Sequence, residues 1–446
     1  MGIINMQETK RKTVAFLTLG CKVNSYESDA MQKLFLEAGY ELKEFHDKAD
    51  VYVVNTCTVT NIADRKSRQM LHKAKKMNPD SLVVAVGCYV QAAKDVLEAD
   101  EAIDLVVGNN QKNQIVHLLE EYYVDENHNE ALIDINHESE YERLTIDSAG
   151  EKTRAYIKVQ DGCNQFCSYC IIPFARGRVR SRSLEDVMEE VTRLVAAGYQ
   201  EVVLTGIHLS SYGVDLEEGD LLSLIQSISK IEGLRRIRLG SLEPRVITEE
   251  FVQTLSQNEK FCPHFHLSLQ SGCNETLRRM NRRYSAEMFY EKCELLREYF
   301  DMPALTTDVI VGFPGETEEE FKETKVFLEK VAFAQMHVFK YSKRKGTKAE
   351  KMPDQIDESV KHTRSQILIE LEEKMRNEYK KQFIGKKENI LIEESVVVDG
   401  ITYQVGHNER YLKFAVESDQ NLTNQIISAN VECQIGNDLL LSKITD

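Results

Sequence analysis

Four short runs rich in Val, Ile and Leu recur through the first part of the chain: TVAFLTL (13–19), VYVVN (51–55), LVVAVG (82–87) and IDLVVG (103–108). Amphipathic stretches separate them: a helix over 25–38 ending at Gly39, one over roughly 61–77 stopping before Pro79, and one from about 89. Strands joined through helices do not form hairpins; they lie parallel, with helices on both faces of the sheet. Residues 1–121 are therefore expected to form an N-terminal parallel α/β sheet domain.

A second alternation begins at Arg154, with strands RAYIKVQ (154–160), QEVVLTG (200–206), LRRIRLG (234–240), HFHLSLQ (264–270), ALTTDVIVG (304–312) and AQMHVFKY (334–341). Helices over 184–197 and 316–330 fall between them, and a helix over about 354–382 closes the series. Six β/α units are too few for a closed eight-stranded barrel, so residues 151–382 are predicted to form an open, partial (β/α)6 barrel. The acidic, polar stretch 122–150 reads as a linker or a short connecting strand pair. After Gly385 the texture changes to ENILIEE, ITYQVGH, YLKFAVE, ANVECQIG and DLLLSKI. Such short alternating runs predict a small antiparallel β-barrel over 383–446, of a kind that often binds oligonucleotides. The fold class is thus α/β multidomain, with no internal repeat.

The bulk properties exclude several classes. Of 446 residues, 42% are hydrophobic and 29% charged, as in a soluble globular protein. No long apolar run suits a membrane span, and MGIINMQETKRK lacks an apolar core and cleavage site, so a cytoplasmic protein is expected. The net charge of −16 disfavours non-specific polyanion binding, and a nucleic acid would have to be met by local basic patches. Three are present: Arg176, Arg178, Arg180 and Arg182; Arg278, Arg279, Arg282 and Arg283; and Lys340, Lys343, Arg344 and Lys345. Each reads equally well as a solvated face.

Ten cysteines in a reducing compartment point to metal or catalysis rather than disulfides. Cys163, Cys167 and Cys170 form C-x3-C-x2-C within GCNQFCSYC, directly after the first strand of the second series. Three thiolates on one tight loop hold three irons of a cubane cluster and leave the fourth iron open to a small molecule. A zinc site would require a fourth Cys or His nearby, and none occurs in the next 37 residues. Cys21, Cys57 and Cys88 each follow a strand of the first series, so all three fall at the carboxyl edge of one parallel sheet, where such sheets bind ligands. Convergence on a second cluster explains three successive strand-end cysteines better than chance burial. Cys262, Cys273, Cys293 and Cys433 are scattered and read as ordinary thiols.

TLGCKVNSYES, NTCTVT, VAVGCYVQ, GCNQFCSYCIIPFARGRVRSRS and DVIVGFPGETEEEF together resemble the radical S-adenosylmethionine methylthiotransferase family, from about residue 13 to the C-terminus. The resemblance implies two [4Fe–4S] clusters, an auxiliary one on Cys21, Cys57 and Cys88 and a radical one on Cys163, Cys167 and Cys170. It also implies that the C-terminal segment is a TRAM-like RNA-binding barrel. S-adenosyl-L-methionine would serve twice, as methyl donor to a sulfur on the auxiliary cluster and as radical source. Gly20-Cys21-Lys22-Val23-Asn24 is similar to the branch that methylthiolates carbon 2 of threonylcarbamoyladenosine next to the anticodon of tRNA. The alternatives are the same chemistry on isopentenyladenosine in tRNA or on a ribosomal-protein aspartate. A non-enzymatic iron–sulfur RNA-binding protein would need no S-adenosylmethionine pocket.

Strand-end residues supply candidates for that pocket. Tyr169 is expected to meet the adenine, Thr205 and Gly206 the methionine end, and Ser241 and Glu243 the ribose hydroxyls; Gln270 and Gly312 would permit close approach. Each also reads as a cap or turn former. The RGRVRSR run is expected near the active-site mouth as an RNA contact. On the C-terminal barrel, a face around Lys386, Lys387, Arg410 and Lys413 is expected to grip RNA, with Tyr403, Tyr411 or Phe414 stacking on bases. An electron-donor protein and a sulfur donor are further expected partners, and no membrane is.

Overall fold

Strands β1 (Thr13–Thr18), β2 (Glu41–Lys43), β3 (Val51–Thr56), β4 (Leu82–Gly87) and β5 (Leu105–Val107) form one parallel sheet in the order β2-β1-β3-β4-β5. The structure, a computed structural model, describes residues 11–125, 133–147, 153–436 and 439–445. Both sheet faces are buried, which is why the strands read as continuous apolar runs. Val14, Val51, Val53, Val84 and Val86 pack beneath Met31 and Phe35 of the helix Lys22–Glu37 and Ile115 and Leu119 of the helix Ile115–Val124. The residues of opposite parity, Ala15, Tyr52, Val54, Val83 and Ala85, pack against Leu71 and Ala74 of the helix Asn61–Met77. That helix is capped by Thr60, whose side chain accepts from the Ala63 N–H. The edge strand β2 escaped the sequence reading because three residues containing Glu and Lys carry no apolar signature.

The chain forms two compact units, residues 1–146 with 171–178, and residues 147–170 with 179–446. Part of the expected 122–150 linker, residues 126–132 and 148–150, lies outside the described residues, as does most of the N-terminal dodecapeptide. The described stretch 133–147 contains no strand, and it buries Ile135, Leu144 and Ile146.

The second unit carries the predicted strand series as β6 (Arg154–Asp161), a short β7 (Arg180–Ser181), β8 (Glu201–Gly206), β9 (Arg236–Leu239), β10 (His264–His266), β11 (Ala304–Val311) and β12 (Gln335–Lys340). β6, β8 and β9 pair in parallel, as do β10, β11 and β12, and parallel bridges Ile237↔Phe261 and Leu242↔Leu267 join the two sets. The two-residue β7 runs antiparallel to β6 and was not anticipated. Capping fixes where the helices start: Thr317 and Glu320 form a reciprocal box at the helix Glu318–Val331, and Ser183 caps Leu184–Ala196.

β13 (Lys387–Val398), β14 (Ile401–His407), β15 (Lys413–Glu417), β16 (Ile426–Ile435) and β17 (Leu439–Ile444) close a barrel in the order β13-β14-β15-β17-β16. Four of its five pairings are antiparallel, and the β15–β17 contact is parallel. The hairpin β13–β14 turns at Asp399 and Gly400, both with positive φ (51° and 80°), as a two-residue mirror-image turn requires.

This barrel docks on the amino-terminal ends of β6, β8 and β9 through a buried charge cluster. The fully buried Glu201 accepts from Arg154 Nε at 3.1 Å and Arg238 Nε at 2.8 Å, with Arg236 Nη1 at 3.7 Å. The three guanidiniums also reach the barrel: Arg154 to Glu393 at 2.5 Å, Arg236 to the Asn389 carbonyl at 2.9 Å, and Arg238 to the Glu409 carbonyl at 2.7 Å. They outweigh the effect of burial and hold the Glu201 carboxyl down at about 2.

Candidate active site: two cysteine triplets

Cys21, Cys57 and Cys88 follow the carboxyl ends of β1, β3 and β4 in the first unit. Two glycines make their approach possible. A Cβ on Gly20 (φ +106°) would lie 3.1 Å from Cys57 Sγ, and one on Gly87 (φ +98°) only 2.5 Å from Asn55 Oδ1. Asn24 ties the strand ends together, donating to the carbonyls of Leu19 at 2.7 Å and Thr56 at 3.0 Å. The three thiols lie close enough to act on one another electrostatically. Burial pushes the Cys57 thiol up to about 11, against the pull of the Arg176 guanidinium. Arg176 Nε donates to Cys88 Sγ at 3.1 Å.

In the second unit, Cys163, Cys167 and Cys170 occupy the loop after β6. Ser168 N donates to the Met280 carbonyl at 2.9 Å, Ala349 N to the Ser168 carbonyl at 2.7 Å, and Asn281 Nδ2 to the Phe166 carbonyl at 3.0 Å. These bonds, with positive φ at Gly162 and Phe166, fold the loop tightly. Arg282 Nη1 donates to Cys167 Sγ at 3.2 Å, while Nη2 reaches the Ser268 carbonyl at 3.1 Å and Nε the Tyr284 hydroxyl at 2.8 Å. Burial pushes the Cys163 thiol up to about 11, with Arg282 opposing and Glu243 reinforcing the rise. Glu243 is held by Arg245 at 2.7 Å, and His208 Nε2 lies 3.8 Å from it.

Tyr169, Glu243 and the cysteines of this loop are thus brought together. The Tyr169 ring packs edge-on to Phe313 (6.3 Å between centroids) within an apolar cluster that includes Met280 and Tyr341. Gly206 packs on Gln160, where a Cβ would come within 2.9 Å, and Gln160 in turn donates to the Gly162 carbonyl at 2.7 Å. Thr205 is buried and Ser241 exposed. Gln270, at φ +73°, bridges to β11 through the Asp308 carbonyl and the Ile310 N–H. Gly312 donates to Glu316 at 2.7 Å, and a Cβ there would meet Lys361 Cγ at 2.2 Å. Among the described residues, none of Thr205, Ser241, Gln270 and Gly312 hydrogen-bonds to a cysteine.

The structure corrects the basic patches. Arg176, Arg180 and Arg182 are fully buried, so only Arg178 of that run faces outward. Arg182 pairs with Glu190, and Arg180 lies 3.9 Å from Asp161. Arg282, read as part of a surface patch, instead serves Cys167. On the C-terminal barrel, Arg410 turns inward onto the Met302 carbonyl at 2.9 Å. Tyr411 stacks on His407 (4.5 Å between centroids) between Arg154 and Arg238, and Phe414 is fully buried. An arginine that neighbours other arginines in sequence gives no sign of a partner on a distant element.

Among the described residues no three Cys, His, Asp or Glu side chains are gathered for a single metal ion. The donor chemistry of the Cys163 loop fits an iron–sulfur cluster: soft sulfur ligands, and a guanidinium aimed at one sulfur, where a thiolate-ligated cluster carries negative charge.

Residues 157–328 match the Radical SAM superfamily, and residues 13–108 match Uncharacterized protein family UPF0004. The structure resembles that of the radical S-adenosylmethionine methyltransferase TsrM of Kitasatospora setae in fold, with a TM-score of 0.55 and 16% identity over 74% of this chain and 73% of that one. The tRNA-2-methylthio-N(6)-dimethylallyladenosine synthase of Finegoldia magna is 36% identical over 85% of this chain and 84% of its own. Threonylcarbamoyladenosine tRNA methylthiotransferase MtaB of Bacillus subtilis is 41% identical over 94% of this chain and 93% of its own. With both cysteine triplets at their strand ends and this likeness along nearly its whole length, the chain belongs to the radical S-adenosylmethionine methylthiotransferase family, enzymes that use S-adenosylmethionine and a [4Fe–4S] cluster.

Proposed function

We propose that this protein methylthiolates carbon 2 of N6-threonylcarbamoyladenosine next to the anticodon of tRNA, giving 2-methylthio-N6-threonylcarbamoyladenosine. The observation that carries the substrate is the likeness, across nearly the whole chain, to the Bacillus subtilis enzyme named for it. The Lys22-Val23 pair after Cys21 supports the same branch.

Cys163, Cys167 and Cys170 would hold the radical cluster. The chemistry supplied there is electron delivery to S-adenosylmethionine, whose cleavage yields a radical able to open the inert C2–H bond. Cys21, Cys57 and Cys88 would hold a second [4Fe–4S] cluster, where a sulfur is kept for methylation. Arg282 places positive charge at Cys167 Sγ and so favours an anionic sulfur. The bonds from Asn281 and to Met280 tie the loop down and would fix the three thiols relative to the group they hold.

For S-adenosylmethionine we assign Tyr169 to the adenine and Thr205 and Gly206 to the methionine end. Ser241 and Glu243 are assigned to the ribose, and Gln270 and Gly312 to close backbone approach. Arg245 keeps the Glu243 carboxylate oriented for that role. We assign the auxiliary site to residues 1–121, the radical site to 151–382 and the RNA grip to 383–446, with 122–150 connecting them. An electron-donor protein and a sulfur donor complete the reaction, which we place in the cytoplasm.

Nucleoside mass spectrometry of bulk tRNA from cells with and without the gene tests the substrate. Loss of 2-methylthio-N6-threonylcarbamoyladenosine with accumulation of its unthiolated precursor is expected. Loss of the isopentenyl methylthio nucleoside instead would overturn the branch while leaving the family intact.

A further inference from the structure

Arg176 lies in the stretch 171–178, which packs within the first unit, and it has no solvent exposure. Its guanidinium donates Nε to Cys88 Sγ at 3.1 Å, Nη1 to Glu27 Oε1 at 2.8 Å, and Nη2 to Glu27 Oε2 at 3.0 Å and to Asn24 Oδ1 at 2.7 Å. Lys112, equally buried, lies 3.1 Å from Glu27 Oε2 and donates to Asn109 Oδ1 at 2.6 Å. Asn109 Nδ2 in turn donates to the Ala175 carbonyl at 2.7 Å, beside Arg176.

Within this set of contacts two cations face one carboxylate. A clamp that merely fastened residues 171–178 to the sheet would be complete with Arg176 and Glu27. Beyond that pair, the guanidinium also presents its Nε–H to a sulfur, that of Cys88.

We propose that Arg176 is a positioning residue whose guanidinium, donating its Nε–H to Cys88 Sγ, raises the reduction potential of the second cluster. The proposal rests on the assignment of that cluster to Cys21, Cys57 and Cys88. Positive charge and an N–H···S bond both favour the reduced, more negative state of an iron–sulfur centre. Glu27 acts in opposition: its bidentate grip orients Nε toward the sulfur, while its charge tempers the field there.

The test uses the full chain with Cys163, Cys167 and Cys170 all replaced by Ala, reconstituted anaerobically with iron and sulfide so that one cluster remains. Iron per chain and the midpoint potential, from a dithionite titration followed by electron paramagnetic resonance, are the readouts. Arg176→Gln should move the potential negative, and Arg176→Lys should fall between Gln and the parent. Glu27→Gln should move it positive. Shifts of opposite sign cannot both come from loosened packing. An unchanged potential in Arg176→Gln, or shifts of the same sign in Arg176→Gln and Glu27→Gln, would overturn the proposal. Should Glu27→Gln not fold, judged by circular dichroism, equal potentials in the Lys and Gln variants at 176 would overturn it. A parent that binds no iron overturns the second-cluster assignment and this proposal with it. A parent that binds iron but ignores residue 176 overturns the proposal alone.

Discussion

Replacing Glu201 by Gln removes the anion at the centre of the charge cluster that docks the C-terminal barrel. Arg154, Arg236 and Arg238 would remain in place, each at most a few per cent exposed. The carboxyl of Glu201 is held down from the usual 4.5 to about 2 by these guanidiniums. At about 1.4 kcal/mol per pH unit of displacement, the ionised form contributes about 3 kcal/mol of stability at neutral pH. Breaking a buried ion pair from one side costs about 3–5 kcal/mol in general, in line with that figure. Because the folded state depresses this acid, the contribution is complete above about pH 4.5 and is lost as pH falls toward 2. Glu201→Gln should therefore be destabilised by about 3 kcal/mol at pH 7, with less than half the gap left near pH 3. Limited proteolysis between the barrels reads the open population directly when reclosing is fast. There the variant should be cut on the order of a hundredfold faster at pH 7. An increase below about fivefold, or a gap in urea unfolding that persists unchanged at pH 3, would refute the reasoning.

Single replacement of Cys163, Cys167 or Cys170 by Ala should abolish formation of 5′-deoxyadenosine from S-adenosylmethionine under reductant; activity surviving any one change would remove that residue as a ligand. Replacing Cys21, Cys57 or Cys88 should lower iron by roughly half while S-adenosylmethionine cleavage continues. Iron at the wild-type level would contradict the second cluster. Arg282→Leu should slow S-adenosylmethionine cleavage by roughly 10–100-fold through loss of the N–H···S bond to Cys167. Cleavage at the wild-type rate would show that this guanidinium only packs.

Periodicity made the parallel sheet and the β/α series legible, because both faces of β3 and β4 are buried and Val, Leu and Ala dominate their sequence. The cysteine spacing was legible for a related reason: a ligand loop after a strand leaves its mark within a few residues of chain. The short strands β2 and β7 left no such mark, having two or three residues each. The parallel β15–β17 contact was equally invisible, since strand direction is settled by where the chain returns and not by composition.

The arginines show the boundary most clearly. Arg176, Arg180 and Arg182 stand in one basic run, and nothing local distinguishes them from Arg178, which is exposed. Glu27, the partner of Arg176, is 149 positions away in sequence, and Arg282, the donor to Cys167, is 115 away. Likewise Tyr411 has the look of a base-stacking aromatic until His407, Arg154 and Arg238 enclose it. What the sequence by itself determined is which residues share a strand face or a loop, because apolar burial follows backbone periodicity. What only the tertiary structure decided is which charges are buried and against what. Electrostatic pairing depends on distance in space and local dielectric, and neither is written in the order of residues along the chain.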